Sequence, residues 1–310
     1  GAGFIGSNFI HYLLDNYDDY IINLDKLTYA GNLANLKDIE NRKNYMFIQG
    51  DITNIKLLDE IFEERIDYVV NFAAESHVDR SINNPNQFVK TNVEGTQLLL
   101  NKAIESKVKK FIQISTDEVY GSLGNSGLFK EDDPLNPTNP YAASKASADM
   151  LVKSYYKTYD LPVNITRCSN NFGPYQYPEK IIPLFITNAL RGKKLPLYGD
   201  GQNIRAWIYV KDHCKAIDLV MRKGKKGAIY NIGSNNEKTN LEITKNILEI
   251  MDRPKSLIKY VEDRKGHDYR YAIDNSKLKN ELAWKTETSF SEGLKKTVKW
   301  YLSNKDWWSK

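Results

Sequence analysis

The sequence predicts an α/β protein: a Rossmann-type doubly wound parallel sheet with a smaller α/β substrate-binding domain. Three observations carry that expectation. A glycine-rich turn opens directly into a helix-periodic stretch, and short β-rich runs then alternate with helical runs. Beyond about residue 165 this rhythm breaks into Pro- and Gly-containing stretches, among them 172–178 and 195–201.

The first six residues, Gly1-Ala2-Gly3-Phe4-Ile5-Gly6, have G-x-G-x-x-G spacing, and Phe4, Ile5, Phe9, Ile10, Leu13 and Leu14 recur at helical intervals. A dinucleotide fold places a strand immediately before such glycines. The sequence is therefore expected to lack about 5–8 residues of a first strand and to start inside the native protein. The run 20–24 reads as the next strand and ends at Asp25, 19 positions beyond Gly6. Glycines let backbone N–H groups and a helix N-terminus approach a pyrophosphate, while a carboxylate accepts hydrogen bonds from the adenosine ribose and disfavours a 2′-phosphate. The pattern points to NAD rather than NADP, with Lys26 the one residue pulling the other way and a plain strand-end turn the alternative for Asp25.

Further strands are expected at 45–49, 68–73 and 111–115, with helices at 55–64 and 91–106 between them. Such βαβ rhythm implies a parallel sheet covered on both faces, with ligands at the C-terminal ends of its strands. Asp51 and Ile52 follow one such end and are placed to flank an adenine; Asp51 or Thr53 capping a helix is the alternative. The domain reading is 1–165 for the NAD-binding unit and 166–310 mainly for the substrate-binding unit. The segment near 206–232, with the apolar run Ile229-Tyr230-Asn231-Ile232, returns to the main sheet.

At 310 residues, 41% hydrophobic and 27% charged, the chain has the composition of an ordinary globular protein. Its net charge of +5 is spread along the chain. The short clusters Lys107, Lys109 and Lys110, and Arg222, Lys223, Lys225 and Lys226, read as solvated faces rather than a nucleic-acid surface. Cys168 and Cys214 form neither a disulfide framework nor a metal-ligand set and read as inert core thiols of a cytoplasmic protein. There is no run of about 18 apolar residues and no signal-peptide pattern before the first motif, so a soluble protein without a membrane partner is expected.

The segment Asn139-Pro140-Tyr141-Ala142-Ala143-Ser144-Lys145 places Tyr141 and Lys145 four apart on one helix face, with Pro140 suited to the first helical position. The helix dipole and the Lys145 ammonium are both expected to favour phenolate over a phenol of ordinary pKa about 10. Thr116, at a strand end about one element earlier, supplies a hydroxyl partner. Asp117 and Glu118 add proton-transfer capacity that a simple alcohol oxidation does not need, which suggests an elimination. Tyr-x-x-x-Lys alone is common as a packed ring beside a solvated amine, and paired carboxylates also cap turns.

The segments 73–81 (Ala73 to Ser81), 115–121 (Ser-Thr-Asp-Glu-Val-Tyr-Gly) and 167–175 (Arg-Cys-Ser-Asn-Asn-Phe-Gly-Pro-Tyr) resemble the dTDP-glucose 4,6-dehydratases, within the extended short-chain dehydrogenase/reductase superfamily. So do 25–32, 209–213 and the stretch from Gly266-His267-Asp268 to Arg270-Tyr271, and the likeness runs almost end to end. The resemblance implies that Tyr141 takes the C4 hydroxyl proton with Thr116 on the same oxygen and Lys145 alongside. Glu118 then removes the C5 proton and Asp117 protonates the departing C6 hydroxyl. It further implies NAD held by Phe4, Ile5, Asp25, Lys26, Leu27, Thr28, Asp51, Ile52, Phe72, Ala73, Ala74, Glu75, Ser76, Thr91, Tyr141, Lys145 and Asn171.

The nucleotide sugar, most simply dTDP-glucose, would meet Ser76, Thr116, Asn170, Lys180, Ile181, Pro196, Leu197, Tyr198, Arg205, Asn240, Asp263, Arg264, Lys265, Gly266 and His267, with Arg205 the candidate for the diphosphate. No metal is implied, and a homodimer through helices 91–106 and 141–158 is. Two positions depart from the family pattern: Ala206 stands where Asp is usual, and Lys265 where Pro is usual. An epimerase would share the glycine loop, Thr116, Tyr141 and Lys145 but has no need of Asp117 and Glu118 as an elimination pair. A GDP-mannose-type dehydratase would share the elimination but not this Asp-Glu motif. A non-catalytic nucleotide sensor would have no use for an intact set of Thr116, Asp117, Glu118, Tyr141 and Lys145.

Overall fold

The computed structural model describes residues 1–263 and 267–309, so Arg264, Lys265 and Gly266 lie outside the described residues. The first part of the chain runs α1 (Phe4–Asn16), β1 (Ile21–Asp25), β2 (Tyr45–Gln49), α2 (Ile55–Phe62), β3 (Tyr68–Asn71), α3 (Val78–Asn83), α4 (Pro85–Phe88), a π-helix (Val89–Glu94), α5 (Gly95–Glu105), β4 (Lys110–Thr116), a 3₁₀ helix (Asp117–Tyr120), α6 (Pro140–Tyr159) and β5 (Val163–Cys168). Then follow β6 (Asn170–Phe172), α7 (Ile181–Leu190), β7 (Leu195–Tyr198), β8 (Ile204–Tyr209), α8 (Val210–Lys223), β9 (Ile229–Ile232), β10 (Glu237–Thr239), α9 (Asn240–Ile250), β11 (Ile258–Val261), β12 (Arg270–Tyr271), α10 (Ser276–Leu282), α11 (Phe290–Ser303) and α12 (Lys305–Trp308).

Two expected boundaries move, each for a local reason. The strand expected over 68–73 stops at Asn71, whose side chain accepts the Ala73 N–H at 3.2 Å and turns the chain out of the sheet. The helix expected from 91 starts earlier, at Pro85, where the fixed φ of proline suits the first helical position, and passes through the π-helix before α5.

The central sheet is parallel, in the order β3-β4-β5-β9, and β1 and β2 form a separate parallel pair. Alternation along the strands sends their side chains to opposite faces. Ile112, Ile114 and Ile232 pack against Phe9 and Leu13 of α1 and Ile217 and Val220 of α8. Phe111, Val163 and Ile165 pack against Leu58 of α2, Leu99 and Leu100 of α5 and Val152 of α6.

A third core gathers Phe172, Ile182, Phe185, Leu197, Trp207, Ile243, Leu294 and Tyr301 around a second sheet, β10-β8-β12, with β6 also on β8. β7 and β11 pair beside it in parallel. β9, at 229–232, sits in the central sheet against β5 although it follows β8 in sequence.

One basic cluster departs from the solvated reading. Lys110 is buried, its ammonium donating to the carbonyls of Val220 at 3.2 Å and Gly224 at 2.8 Å, where it satisfies the end of α8. Cys168 and Cys214 are both buried and unbridged. Among the described residues no helix is long and apolar enough to cross a membrane.

Candidate active site

A cavity of about 350 Å³ lies along the C-terminal ends of β1 to β5, where the strands hand over to loops. At one end the glycine loop enters α1. Its N-cap, Gly3, makes no side-chain cap, so the first-turn N–H groups face the cavity without a side-chain acceptor. A Cβ on Gly6 would fall 2.8 Å from the Gly1 Cα, so the turn closes only with glycine there. Asp25 Oδ2 accepts the Ala2 N–H at 2.8 Å and Oδ1 the Leu27 N–H at 2.8 Å, which fixes the carboxylate on the cavity wall. Leu27 adopts a left-handed φ of 56° and does not itself line the cavity.

Lys26 Nζ lies 2.7 Å from Asp51, so the lysine that follows Asp25 is paired with a different carboxylate. Asp51 also accepts the Thr53 N–H at 3.0 Å, while the cap of α2 is Asn54, neither Asp51 nor Thr53.

At the other end, β4 is buried along its whole length and delivers Thr116 to the cavity. The Thr116 hydroxyl accepts the Glu118 N–H at 3.2 Å and starts the 3₁₀ helix that presents Asp117 and Glu118. Burial first, and the neighbouring Glu118 charge second, push the Asp117 carboxyl up to about 8; Arg205 and the Thr116 hydroxyl oppose the rise. Asp117 is thus a neutral acid at pH 7, and its Oδ2 has no hydrogen-bond partner among the described residues.

Asn139 caps α6 through the Ala142 N–H at 2.9 Å, with Pro140 at its start, which places Tyr141 in the first turn. The expectation of a lowered Tyr141 pKa does not hold. Burial, then the charges of Glu118 and Cys168, hold Tyr141 well above 10 against the Thr116 hydrogen bond, because desolvation penalises an anion more than a helix end relieves it. Burial likewise lowers Lys145, with Asp149 opposing, and its ammonium donates to the Ile114 carbonyl at 2.7 Å.

Behind the acid pair stands a buried network. Arg167 Nε bonds Asp149 at 2.9 Å and its Nη1 bonds the Tyr120 hydroxyl at 2.9 Å; that hydroxyl donates to Asn231 Oδ1 at 2.8 Å. Tyr120, the last residue of the 3₁₀ helix, is thereby tied to β5, β9 and α6.

Of the residues assigned to the cofactor, Phe4, Ile5, Asp25, Lys26, Thr28, Asp51, Ile52, Phe72, Ala73, Ala74, Glu75, Ser76, Thr91, Tyr141, Lys145 and Asn171 line this one cavity. Of those assigned to the substrate, Ser76, Thr116, Asn170 and Lys180 line it, and Ile181, Pro196, Leu197, Tyr198, Arg205, Asn240, Asp263 and His267 do not. These last belong to the second unit: His267 Nδ1 lies 2.6 Å from Asp263 Oδ1 and its ring meets that of Tyr198 edge-on.

The sequence pattern does not single out Glu179, which accepts from the Tyr29 hydroxyl at 3.0 Å and lies 3.7 Å from His77 Nε2, while Lys180 donates to the Ser76 carbonyl at 3.1 Å. These contacts join loops about 100 to 150 residues apart, and the only local signal is the acid-base pair Glu179-Lys180 after an aromatic loop.

The sequence matches the family profile described as GDP-mannose 4,6 dehydratase over residues 1–297. The dTDP-glucose 4,6-dehydratase of Escherichia coli is 46% identical over 100% of this chain and 94% of that protein. The chain belongs to the dTDP-glucose 4,6-dehydratase family. It is also similar to the low-salt glycan biosynthesis protein Agl12 of Haloferax volcanii, 55% identical over 98% of this chain and 97% of that protein. The crystal structure of the dTDP-glucose 4,6-dehydratase DesIV from Streptomyces venezuelae, determined with NAD bound, matches at a TM-score of 0.96 and 49% identity, covering 99% of this chain and 96% of that one.

Within the dehydratase family the Ala206 departure has a local account. Ala206 is buried on β8, and the neighbouring Arg205 guanidinium is held by the carbonyls of Asp268 at 2.9 Å and Tyr269 at 3.2 Å, over the Tyr271 ring at 4.3 Å. Backbone carbonyls thus help to orient Arg205 beside Ala206.

Proposed function

We propose that this chain is an NAD-dependent hydro-lyase that converts dTDP-glucose to dTDP-4-keto-6-deoxyglucose and water. The observation that carries the reading is the buried Asp117 beside Glu118, standing against Thr116, Tyr141 and Lys145 in a cavity whose other end is the glycine loop and Asp25.

Asp25 and the open first turn of α1 would hold the adenosine ribose and pyrophosphate, and Asp51 would draw Lys26 away from a 2′-phosphate. Bound NAD supplies the acceptor for the C4 hydride, a cationic ring in the same cavity and the hydride returned at C6. Tyr141, aided by Thr116, takes the C4 hydroxyl proton. Because its phenol is held well above 10 at rest, Tyr141 would first have to give up its own proton, a loss favoured by the Lys145 ammonium and by the cationic ring that NAD would supply. The resulting 4-ketone acidifies C5–H, and Glu118 removes that proton. Asp117, already protonated at pH 7, gives its proton to the departing C6 hydroxyl, so water leaves. Protonation at C5 then accompanies reduction at C6, and no net oxidation occurs.

An epimerase needs no such acid. Mass-spectrometric product analysis with dTDP-glucose, UDP-glucose and GDP-mannose as separate substrates tests the reading. Loss of one water from dTDP-glucose alone supports it, and an isomer of unchanged mass overturns it.

The finer reading is a cytoplasmic homodimer that supplies 6-deoxysugar synthesis such as that of rhamnose. What supports the dimer is the pairing of α5 with α6, the latter leaving Met150 54% and Tyr159 59% exposed.

A further inference from the structure

The C-terminal turn reaches the glycine loop through a single amide. The Ala2 carbonyl accepts the Asn32 N–H at 3.1 Å and Asn35 Nδ2 at 2.9 Å, while its N–H donates to Asp25. Asn35 is 1% exposed, and its Oδ1 accepts the Trp307 indole N–H at 2.7 Å. An indole N–H only donates and a backbone carbonyl only accepts. One orientation of the Asn35 amide therefore satisfies both neighbours, and the reversed one satisfies neither. Trp307 itself is packed in an aromatic cluster with Trp300, Tyr301 and Tyr175, and the Tyr175 ring stacks on His11, whose Nε2 lies 2.8 Å from the Asn35 carbonyl.

We propose that Asn35 and Trp307 are positioning residues for the cofactor loop: α12 locks the Asn35 amide, and Asn35 fixes the Ala2 peptide at the angle that points the loop at the pyrophosphate. The inference rests on the reading that this loop holds NAD. A residue 272 positions away from Asn35 in sequence then sets cofactor affinity without touching the cofactor.

The test uses the full chain freed of nucleotide and titrated with NAD, together with turnover of dTDP-glucose at saturating NAD. Trp307→Phe keeps a ring in the cluster and removes the N–H. Loss of one buried neutral hydrogen bond corresponds to about three- to tenfold weaker NAD binding, with kcat at saturating NAD within about twofold of the parent. Trp300→Phe perturbs the same aromatic cluster but leaves the indole of Trp307 in place, and is expected to bind NAD as the parent does. Asn35→Ala should weaken NAD at least as much as Trp307→Phe, and the double variant no more than Asn35→Ala alone.

Unchanged NAD affinity in Trp307→Phe overturns the proposal, as do equal losses in the Trp307 and Trp300 variants. Should Trp307→Phe fold poorly, unchanged affinity in Asn35→Ala overturns it in the same way. A parent chain that binds no NAD overturns the functional reading instead, so the two failures are distinct.

Discussion

The two ends of the site are built differently. At the cofactor end the groups come from backbone and short side chains at strand ends: the glycine loop, Asp25 after β1, Asp51 after β2 and Ala73-Ala74 after β3. At the sugar end they are side chains that work only as desolvated sets, with Asp117, Tyr141 and Lys145 all buried and each shifted first by that burial. The contrast teaches that binding tolerates local repair, whereas proton transfer depends on a shared low-dielectric environment. Substitutions at the sugar end should therefore cost turnover steeply and binding little, and those at the cofactor end the reverse.

The steepest loss is expected for Tyr141→Phe, which keeps the ring and removes the proton acceptor. C4 oxidation should fall by about 1,000- to 10,000-fold, read as the disappearance of enzyme-bound NADH after substrate is added. Undiminished NADH would remove Tyr141 from the first step.

Glu118→Gln should slow dehydration by about 100-fold or more while leaving oxidation intact. Bound NADH and a 4-keto-glucose intermediate should accumulate, with little C5 exchange into heavy water. Dehydration at the parent rate would free Glu118 of its role.

Asp117→Asn separates the two kinds of cost. Since burial and Glu118 raise the folded pKa from 3.8 to about 8, the folded state binds this proton more tightly than the unfolded chain does. Stability is then full below about pH 4, falls as pH rises toward 8 and levels off above it. An Asn at 117 should stabilise the fold at pH 8 by roughly 5 kcal/mol, with the gain gone near pH 4, by denaturant melts at both pH values. Turnover of the parent should fall as pH passes about 8, where the acid is lost. An Asn variant no more stable than the parent at pH 8 would mean that Asp117 is not protonated there.

The mildest effect is expected at the cofactor end. Asp25→Ala should weaken NAD about tenfold, on the scale of one charge-assisted hydrogen bond, and narrow the preference over NADP, with little change in kcat at saturating NAD. A large drop in kcat would break the division between the two ends.

The same contrast governs how much the sequence disclosed. The strands at 45–49 and 229–232 are where the pattern puts them, because short apolar runs flanked by turns need no distant partner to be recognised. The glycine loop, Asp25 and Thr116 through Lys145 converge on one cavity because each is a local motif at a strand end or helix start. Lys110 reads as solvated in sequence yet is buried, since the carbonyls of Val220 and Gly224 that hold it are more than 100 residues away. The Tyr141 phenol departs from expectation for a related reason: dipole and spacing are visible in sequence, but the depth of burial is not. Glu179 lies beyond the reach of sequence patterns because its partners Tyr29 and His77 are joined to it only by the fold.

The Arg167 network bears on reorganisation energy. With the Tyr120 hydroxyl held between a guanidinium and Asn231, the 3₁₀ helix that carries Asp117 and Glu118 is clamped before any sugar arrives. Substrate contacts then need not order the acid pair, and the dipoles around it need not rotate as charge develops. Among the described residues no loop of the second unit hydrogen-bonds the Tyr120 hydroxyl, so contacts made there with a nucleotide sugar need not disturb that clamp.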